Sequence, residues 1–113
     1  MKRISTHVLD ISRGKPAQDV PVRLERQEAP GSWRLVHSAR TDHDGRCGQL
    51  LPGDDLPPGV YRLVFDTDSY YRTIQVDGLY PTVEIAFHVS AGESQFHIPL
   101  LLTANGYTTY RGS

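Results

Sequence analysis

Five histidines are the side chains of this sequence that could most readily move protons near neutral pH: His7, His37, His43, His88 and His97. Imidazole has an unperturbed pKa of about 6.5, so it can act as a general base or a general acid. No two of these residues have the i, i+4 spacing of a helical metal-binding motif. The pattern therefore favours proton transfer over metal binding, and a metal site assembled from separate strands is the weaker alternative.

His7 and His97 are the most informative of the five. His97 alternates with apolar neighbours such as Ile98 in the most apolar segment of the chain, so it points away from the core. Its face continues with Pro99 and Leu101 instead of charged residues, which predicts that another subunit covers it. For either histidine alone, a hydrogen-bonded, half-buried residue without a catalytic role is the simpler interpretation.

The segment Thr41–Arg46 has aspartates at alternate positions before a glycine, like the start of a calcium-binding loop. The glutamate that would close such a loop is missing, so the segment predicts a turn that presents Arg46. A guanidinium beside a histidine pair could hold an anionic or carbonyl-rich substrate, whereas an isolated arginine is usually solvated. His43 in this turn and His88 on a solvated strand face are interpreted as surface residues.

The sequence closes with Tyr110, Arg111, Gly112 and Ser113, which bring aromatic, cationic and hydroxyl groups together. A last edge strand with a loose tip is the alternative interpretation of this segment. Cys47 is predicted to be a buried core thiol, because no histidine is placed locally as its base.

The elements that must position these residues are strands, because the dominant hydrophobic period is two. About eight short strands are expected, which is typical of a two-sheet sandwich, with one short helix over 67–73 that Thr67 would N-cap. Asn105-Gly106 predicts a hairpin between the last two strands. The clearest strand-like runs are Ile4–Asp10, Val20–Glu25, Trp33–Arg40, Val60–Asp66, Val83–Val89, Phe96–Thr103 and Tyr107–Arg111.

Composition excludes several classes of protein. The chain has 113 residues, 12 Lys+Arg and 13 Asp+Glu, for a formal net charge of −1. This length fits a single domain, residues 1–113, and the charge argues against nucleic acid or a membrane surface as partner. One cysteine excludes an internal disulfide. Because no apolar run approaches the roughly 20 residues that span a bilayer and no signal-peptide pattern is present, a cytoplasmic location is expected.

Several of these segments together resemble the 5-hydroxyisourate hydrolase family, the transthyretin-related enzymes of purine breakdown. The resemblance covers nearly the whole chain and is densest at its two ends. Asp42 and Ala104 depart from the Asn and Pro that are common in the family, which concerns loop geometry only. The matching motifs are His7-Val8-Leu9-Asp10, Gly14-Lys15-Pro16-Ala17, Asp44-Gly45-Arg46, Asp66-Thr67, Tyr80-Pro81, the stretch from His97 to Leu102, and Tyr110-Arg111-Gly112-Ser113.

The resemblance implies an all-β, transthyretin-like sandwich that assembles as a homotetramer, a dimer of dimers, with active sites in the cleft between dimers. It implies hydrolysis of 5-hydroxyisourate to 2-oxo-4-hydroxy-4-carboxy-5-ureidoimidazoline, with no cofactor and no metal. Matched position by position, the catalytic places fall to His7, Arg46 and His97. The substrate-binding tail that closes the site would be Tyr110, Arg111, Gly112 and Ser113.

Two other classes of function stay open at this point. A non-catalytic small-ligand carrier of transthyretin type would use the same channel between subunits but line it with apolar groups. A structural or adhesion module would be monomeric and usually exported. The set of His7, Arg46 and His97 argues against the carrier, and the lack of a signal-peptide pattern and of linkers argues against the module.

Overall fold

The computed structural model describes residues 2–113, and Met1 lies outside the described residues. Strands dominate these residues, and a single short helix interrupts them. The elements are β1 (Arg3–Asp10), β2 (Lys15–Pro16), β3 (Pro21–Ala29), β4 (Ser32–Arg40), β5 (Arg46–Cys47), β6 (Gly59–Phe65), α1 (Thr67–Thr73), β7 (Val83–Val89), β8 (Gln95–Thr103) and β9 (Gly106–Thr109).

Two sheets face each other. The first has the order β2-β1-β8-β9, with β5 paired to β1, and the second has the order β4-β3-β6-β7. In the first sheet β1 runs parallel to β8, with Ser5 opposite His97 and His7 opposite Pro99. The prediction of an all-β, two-sheet sandwich with one short helix is confirmed. Two of the nine strands within residues 2–113, β2 and β5, have only two residues each.

The core lies between the sheets and follows the predicted alternation. On β3, Val22 and Leu24 are fully buried, and on β8, Ile98 and Leu100 are at most 5% exposed. Full desolvation of a side chain of this size stabilises the fold by about 1.5–3 kcal/mol. Phe87 on the edge strand β7 is only partly buried, because an edge strand has a neighbour on one side alone.

The helix occupies the predicted residues, but its predicted cap is wrong. Asp66 is the N-cap, and its carboxylate accepts the N–H of Ser69 at 3.0 Å. Thr67 is instead the first helical residue, where its buried hydroxyl donates to the carbonyl oxygen of Tyr80 at 2.6 Å. Asp and Thr both cap helices well. The hydrogen bond from the Thr67 hydroxyl to Tyr80 therefore decides which of the two residues is the N-cap.

The last strand is shorter than predicted. The hairpin between β8 and β9 is confirmed, with Ala104 and Asn105 as its turn residues, but β9 ends at Thr109 instead of Arg111. Beyond it the chain returns to β8, where the N–H of Gly112 donates to the carbonyl oxygen of His97 at 2.7 Å. The final residues therefore lie against the strand that carries His97.

Within residues 2–113, no helix has both the length and the apolar character needed to cross a membrane.

Candidate active site

The three predicted catalytic residues lie on three adjacent strands of the first sheet. His7 on β1 is directly opposite Arg46 on β5, and His97 on β8 is directly opposite Ser5 on β1. Directly paired residues point to the same side of a sheet, and so do residues two apart along a strand. His7, Arg46 and His97 therefore share the outer face, opposite the core.

A cavity of about 230 Å³ opens on this face. It includes Arg46 and His97, whereas His7, Tyr110 and Arg111 are not part of its lining. The polar residues of the lining are Arg3, Ser5, Thr6, Arg46, Gln95, His97 and Ser113.

His97 is half-buried and is held through one ring nitrogen. Its Nδ1 shares a hydrogen bond of 2.8 Å with the hydroxyl of Ser5, which leaves Nε2 as the free ring nitrogen. Burial, followed by the positive charges of His7, Arg46 and Arg3, lowers the pKa of His97 below its usual value. A lowered pKa keeps the imidazole neutral, and able to accept a proton, at neutral pH.

His7 is fixed by the turn that precedes Arg46. Its Nε2 lies 2.9 Å from the carbonyl oxygen of Asp44. A carbonyl oxygen only accepts hydrogen bonds, so Nε2 carries a proton and Nδ1 is the ring nitrogen left for another partner. The two histidines are thus positioned by different partners, and His7 is close enough to His97 to affect its pKa.

Arg46 is presented by a tight turn, as the sequence predicted. The Asp42 carboxylate accepts the N–H groups of Asp44 and Arg46, both at 2.9 Å. Gly45 has φ of 78°, and a Cβ there would overlap the carbonyl oxygen of Val8, so only glycine fits. The turn therefore fixes the backbone from which the Arg46 side chain projects.

The same turn contains the candidate group of metal ligands within the described chain. Ligand atoms of Asp42, His43 and Asp44 lie within 4.8 Å of one another, and all three residues are exposed. One oxygen of Asp42 is already engaged by the two backbone N–H groups that shape the turn. The two outlying histidines, His43 and His88, are exposed, as predicted.

The closing tail divides into residues that reach the cavity and residues that anchor the tail. Gly112 and Ser113 line the cavity. A Cβ on Gly112 would come within 2.5 Å of the His97 ring carbon Cδ2, so a glycine is needed for the tail to lie there. Tyr110 is 55% exposed and is not part of the cavity lining.

Arg111 is not part of the cavity lining, and it holds the tail to the turn that precedes β8. Its guanidinium lies 3.1 Å from the carboxylate of Glu93, donates to the carbonyl oxygen of Gln95 at 3.1 Å, and covers the Phe96 ring at 4.4 Å. These contacts hold the tail against the start of β8.

Arg3 and Ser5 are among the lining residues that the sequence did not single out. Both share the parity of His7 on β1, so the alternation that placed His7 on the outer face could have placed them there as well. Cys47 also lines the cavity but is 6% exposed, and burial, with the nearby Asp42 charge, raises its pKa to about 11. It is a protonated core thiol, as predicted, and no nucleophile.

These features define a class: a two-sheet β-sandwich that carries a cationic, imidazole-containing cavity on the outer face of one sheet. The chain belongs to the HIUase/Transthyretin family, whose profile matches residues 4–112.

Relatives of both kinds named by that family resemble the chain. A mouse 5-hydroxyisourate hydrolase is 44% identical over 111 residues, which cover 97% of this chain and 94% of the relative. The structure of Klebsiella pneumoniae 5-hydroxyisourate hydrolase matches with a TM-score of 0.87 and 34% identity over 100% of both chains. Sea bream transthyretin in complex with thyroxine matches with a TM-score of 0.90 and 28% identity, over 97% of this chain and 94% of that one.

Proposed function

We propose that the chain is a hydrolase of urate catabolism that opens the ring amide of 5-hydroxyisourate to give 2-oxo-4-hydroxy-4-carboxy-5-ureidoimidazoline. The observation that carries the proposal is that His97 and Arg46 line one cavity, in a chain whose full-length relatives include 5-hydroxyisourate hydrolases. Single-domain organisation of residues 1–113 is part of the same proposal.

His97 is the proposed general base. When Nδ1 carries the proton and donates to Ser5, Nε2 keeps a lone pair that can remove a proton from water. The hydroxide oxygen then bonds to the amide carbonyl carbon, and a tetrahedral oxyanion forms. Such a base contributes about 10²–10⁴-fold to the rate.

Arg46 is the proposed electrostatic stabiliser. The carbonyl oxygen becomes an anion as water adds, and a fixed guanidinium in a partly enclosed cavity stabilises that charge more than water would. The turn around Asp42 fixes the backbone of Arg46 before the substrate arrives, so little reorganisation accompanies the reaction.

Collapse of the tetrahedral intermediate breaks the carbon–nitrogen bond. The leaving nitrogen takes a proton from the imidazolium of His97, and the new carboxylic acid loses its own proton to solvent. His7, fixed through Asp44, orients the attacking water or supplies this proton in place of His97. Water, acid and base suffice for this sequence, so the proposed reaction uses no cofactor and no metal.

The tail is the proposed lid of the site. Gly112 and Ser113 form part of the cavity wall, and Arg111 holds them there. Ser113 would bind the ring of the substrate, and Tyr110 would close over it.

A homotetramer, a dimer of dimers with the site between dimers, is the proposed assembly. The exposed tyrosines at the end of the chain's last strand support it, because Tyr107 on β9 and Tyr110 in the tail leave aromatic surface uncovered in one chain. A cytoplasmic location is proposed on the ground that Cys47 is a free thiol. Light scattering should give four times the mass of one chain, and a monomer would contradict the assembly.

The ligand-carrier alternative draws its support from the likeness to thyroxine-bound transthyretin. A carrier of that type was predicted to have an apolar lining. The lining here presents Arg3, Arg46 and His97 instead, which suits a reaction that develops negative charge.

Turnover tests the function directly. Fresh 5-hydroxyisourate, made with urate oxidase, is mixed with the protein and its ultraviolet decay is followed. The protein should accelerate the decay, and Arg46→Gln should lose most of that acceleration. Arg40→Gln is the matched control, because Arg40 is exposed on β4 and 4.0 Å from Asp19. Tight ligand binding with a decay no faster than the spontaneous rate would favour the carrier.

A further inference from the structure

We propose that Arg3 is a second anion-binding residue of this cavity, which holds the carboxylate that forms when the ring opens. The inference rests on the proposed function for the identity of the anion, but the site itself is defined by the geometry of the described residues.

The position of Arg3 follows from the pleat of β1. Arg3, Ser5 and His7 occupy alternate positions of the strand and share the outer face. Arg3 is directly opposite Gln95, two residues along the parallel pair from Ser5 and His97. Arg3 and Arg46 therefore line one cavity. Along β1, the position opposite His97 lies between Arg3 and the position opposite Arg46.

The guanidinium of Arg3 is held in place by one bond and free elsewhere. Its Nε donates to the carbonyl oxygen of Gly48 at 2.6 Å. The two Nη groups make no hydrogen bond within residues 2–113, and no carboxylate of that part of the chain lies within 4 Å of Arg3 or Arg46. An anchored fork of free donors is the arrangement that binds a carboxylate with two parallel hydrogen bonds.

Charge also accumulates at this place for no structural reason. The whole chain has a formal net charge of −1, yet its cavity brings together Arg3, Arg46 and His97 without an acidic side chain in its lining. Arg3 and Arg46 each lower the pKa of His97, so the cavity disfavours a further positive charge and favours an anion.

The reaction supplies such an anion. Water adds to a neutral amide carbonyl, the carbon–nitrogen bond breaks, and the attacked carbon becomes a carboxylate after one proton leaves. Without Arg3, the guanidinium of Arg46 would have to stabilise first the oxyanion and then the carboxylate. With Arg3 on the other side of His97, one guanidinium binds each of the two oxygens that share the final charge.

Kinetics of three variants test this role. Arg3→Gln should lower kcat about tenfold with KM for 5-hydroxyisourate changed less than about twofold, because the charged contact forms as the ring opens and is not made with the neutral amide. Arg3→Lys should restore part of the loss, because it returns the charge without the fork. Lys2→Gln removes the same charge one residue away, outside the cavity lining, and should stay within about twofold of the wild type.

The pH profile supplies a readout that a merely structural role would not move. His97 is faced by the positive charges of His7, Arg46 and Arg3. Removing Arg3 should raise the pKa of His97 and move the acid limb of kcat/KM to higher pH. Lys2→Gln should leave that limb in place.

Binding of inorganic phosphate separates this inference from the proposed function. Phosphate titrated into the wild type should shift the NMR signals of the His97 ring, and Arg3→Gln should weaken that binding about tenfold. If turnover fails but phosphate binding still depends on Arg3, the proposed reaction is wrong and the anion site stands. If Arg3→Gln and Lys2→Gln behave alike in kinetics and in phosphate binding, Arg3 has no such role.

Discussion

The outer faces of the two sheets use arginine in opposite ways. On the second sheet Arg62 donates to Glu25 at 2.6 Å and to Glu84 at 3.2 Å, and its guanidinium lies 4.2 Å from the Trp33 ring. Arg23 adds a second contact to Glu25 at 3.3 Å. On the first sheet, Arg3 and Arg46 have no carboxylate of residues 2–113 within 4 Å.

The difference distinguishes arginines that stabilise the fold from arginines that are free to bind a ligand. A guanidinium whose N–H groups are bonded within the chain has few donors left to bind a ligand. The face of the sheet on which it lies is therefore not suited to binding an anion. A guanidinium without a partner leaves its donors free for an anion, at a cost to stability. The first sheet therefore presents free donors to a ligand, and the second carries a self-contained ion-pair network.

The sharpest way to break this contrast is His97→Asn. The Asn side chain can keep the hydrogen bond with Ser5 but has no nitrogen at the position of Nε2. It should lower kcat/KM by about 10²–10⁴ while the unfolding midpoint stays in place. His88→Asn, on the exposed outer face of the second sheet, is the control. Near-normal turnover by His97→Asn, followed by ultraviolet decay, would remove His97 from the mechanism.

Gly112→Ala tests whether the tail must lie against the His97 ring. The added Cβ would come within 2.5 Å of Cδ2 of that ring, so either the tail or the imidazole must shift. A displacement of about 1 Å in an active site can cost about 100-fold in rate, which is the loss expected in kcat. Gly53→Ala introduces the same methyl group where nothing lies within 4 Å, and its kcat should not change.

Arg62→Met addresses the other side of the comparison. It leaves Glu25, a buried carboxylate, with one partner fewer, and should lower the free energy of unfolding in urea by about 1–3 kcal/mol with turnover unchanged. Arg72→Met, which removes the exposed pair with Asp68, should cost less than about 0.5 kcal/mol. Loss of activity in a folded Arg62→Met protein would contradict the division between the two faces.

The same pair of proteins gives a pH test. Burial alone would raise the pKa of Glu25, but the hydrogen bonds from Arg62 and Arg23 outweigh it and hold the pKa below its usual value. A carboxyl group whose pKa is lower in the folded state than in the unfolded state stabilises the fold at pH values above the unfolded-state pKa. This stabilisation is lost as the pH falls through the folded-state pKa. The stability gap between wild type and Arg62→Met should therefore be full at pH 7 and shrink below about pH 4.

Asp42 should give the smallest effect. Asp42→Asn keeps an oxygen that can accept the N–H groups of Asp44 and Arg46, so its turnover should stay within about twofold of the wild type. Asp42→Ala removes that acceptor and should lower kcat/KM about two- to tenfold, since Arg46 is then aimed less well. Equal rates in both variants would show that the turn holds Arg46 without Asp42.

The sequence predicts the long strands and the shared face of the site because both follow from alternation. Val22 and Leu24 point to the core, while His7 and His97 point away, and no distant information is needed for this. The turn before Arg46 is equally local, since Asp42 and Gly45 define it.

What could not be predicted depends on contacts between distant segments. β2 and β5 are too short to show any alternation, and only their pairing with β1 makes them strands. Arg111 is not part of the cavity lining because Glu93 and Phe96 are placed beside it by the β7–β8 connection. In the sequence, Arg3 is one more charged residue near the amino end. Its place in the cavity lining is what identifies it as a candidate site residue.

Because the site depends on the parallel pairing of β1 with β8, activity can arise only after these two strands have paired. Ser5 and His97 meet across 92 positions of sequence, so the imidazole is held in place only after both strands have been synthesised and have paired. Closure of so long a loop is a slow step in folding. Recovery of turnover after dilution from urea would therefore report complete folding of the chain, where a spectroscopic signal from β3 and β6 would report only a part of it.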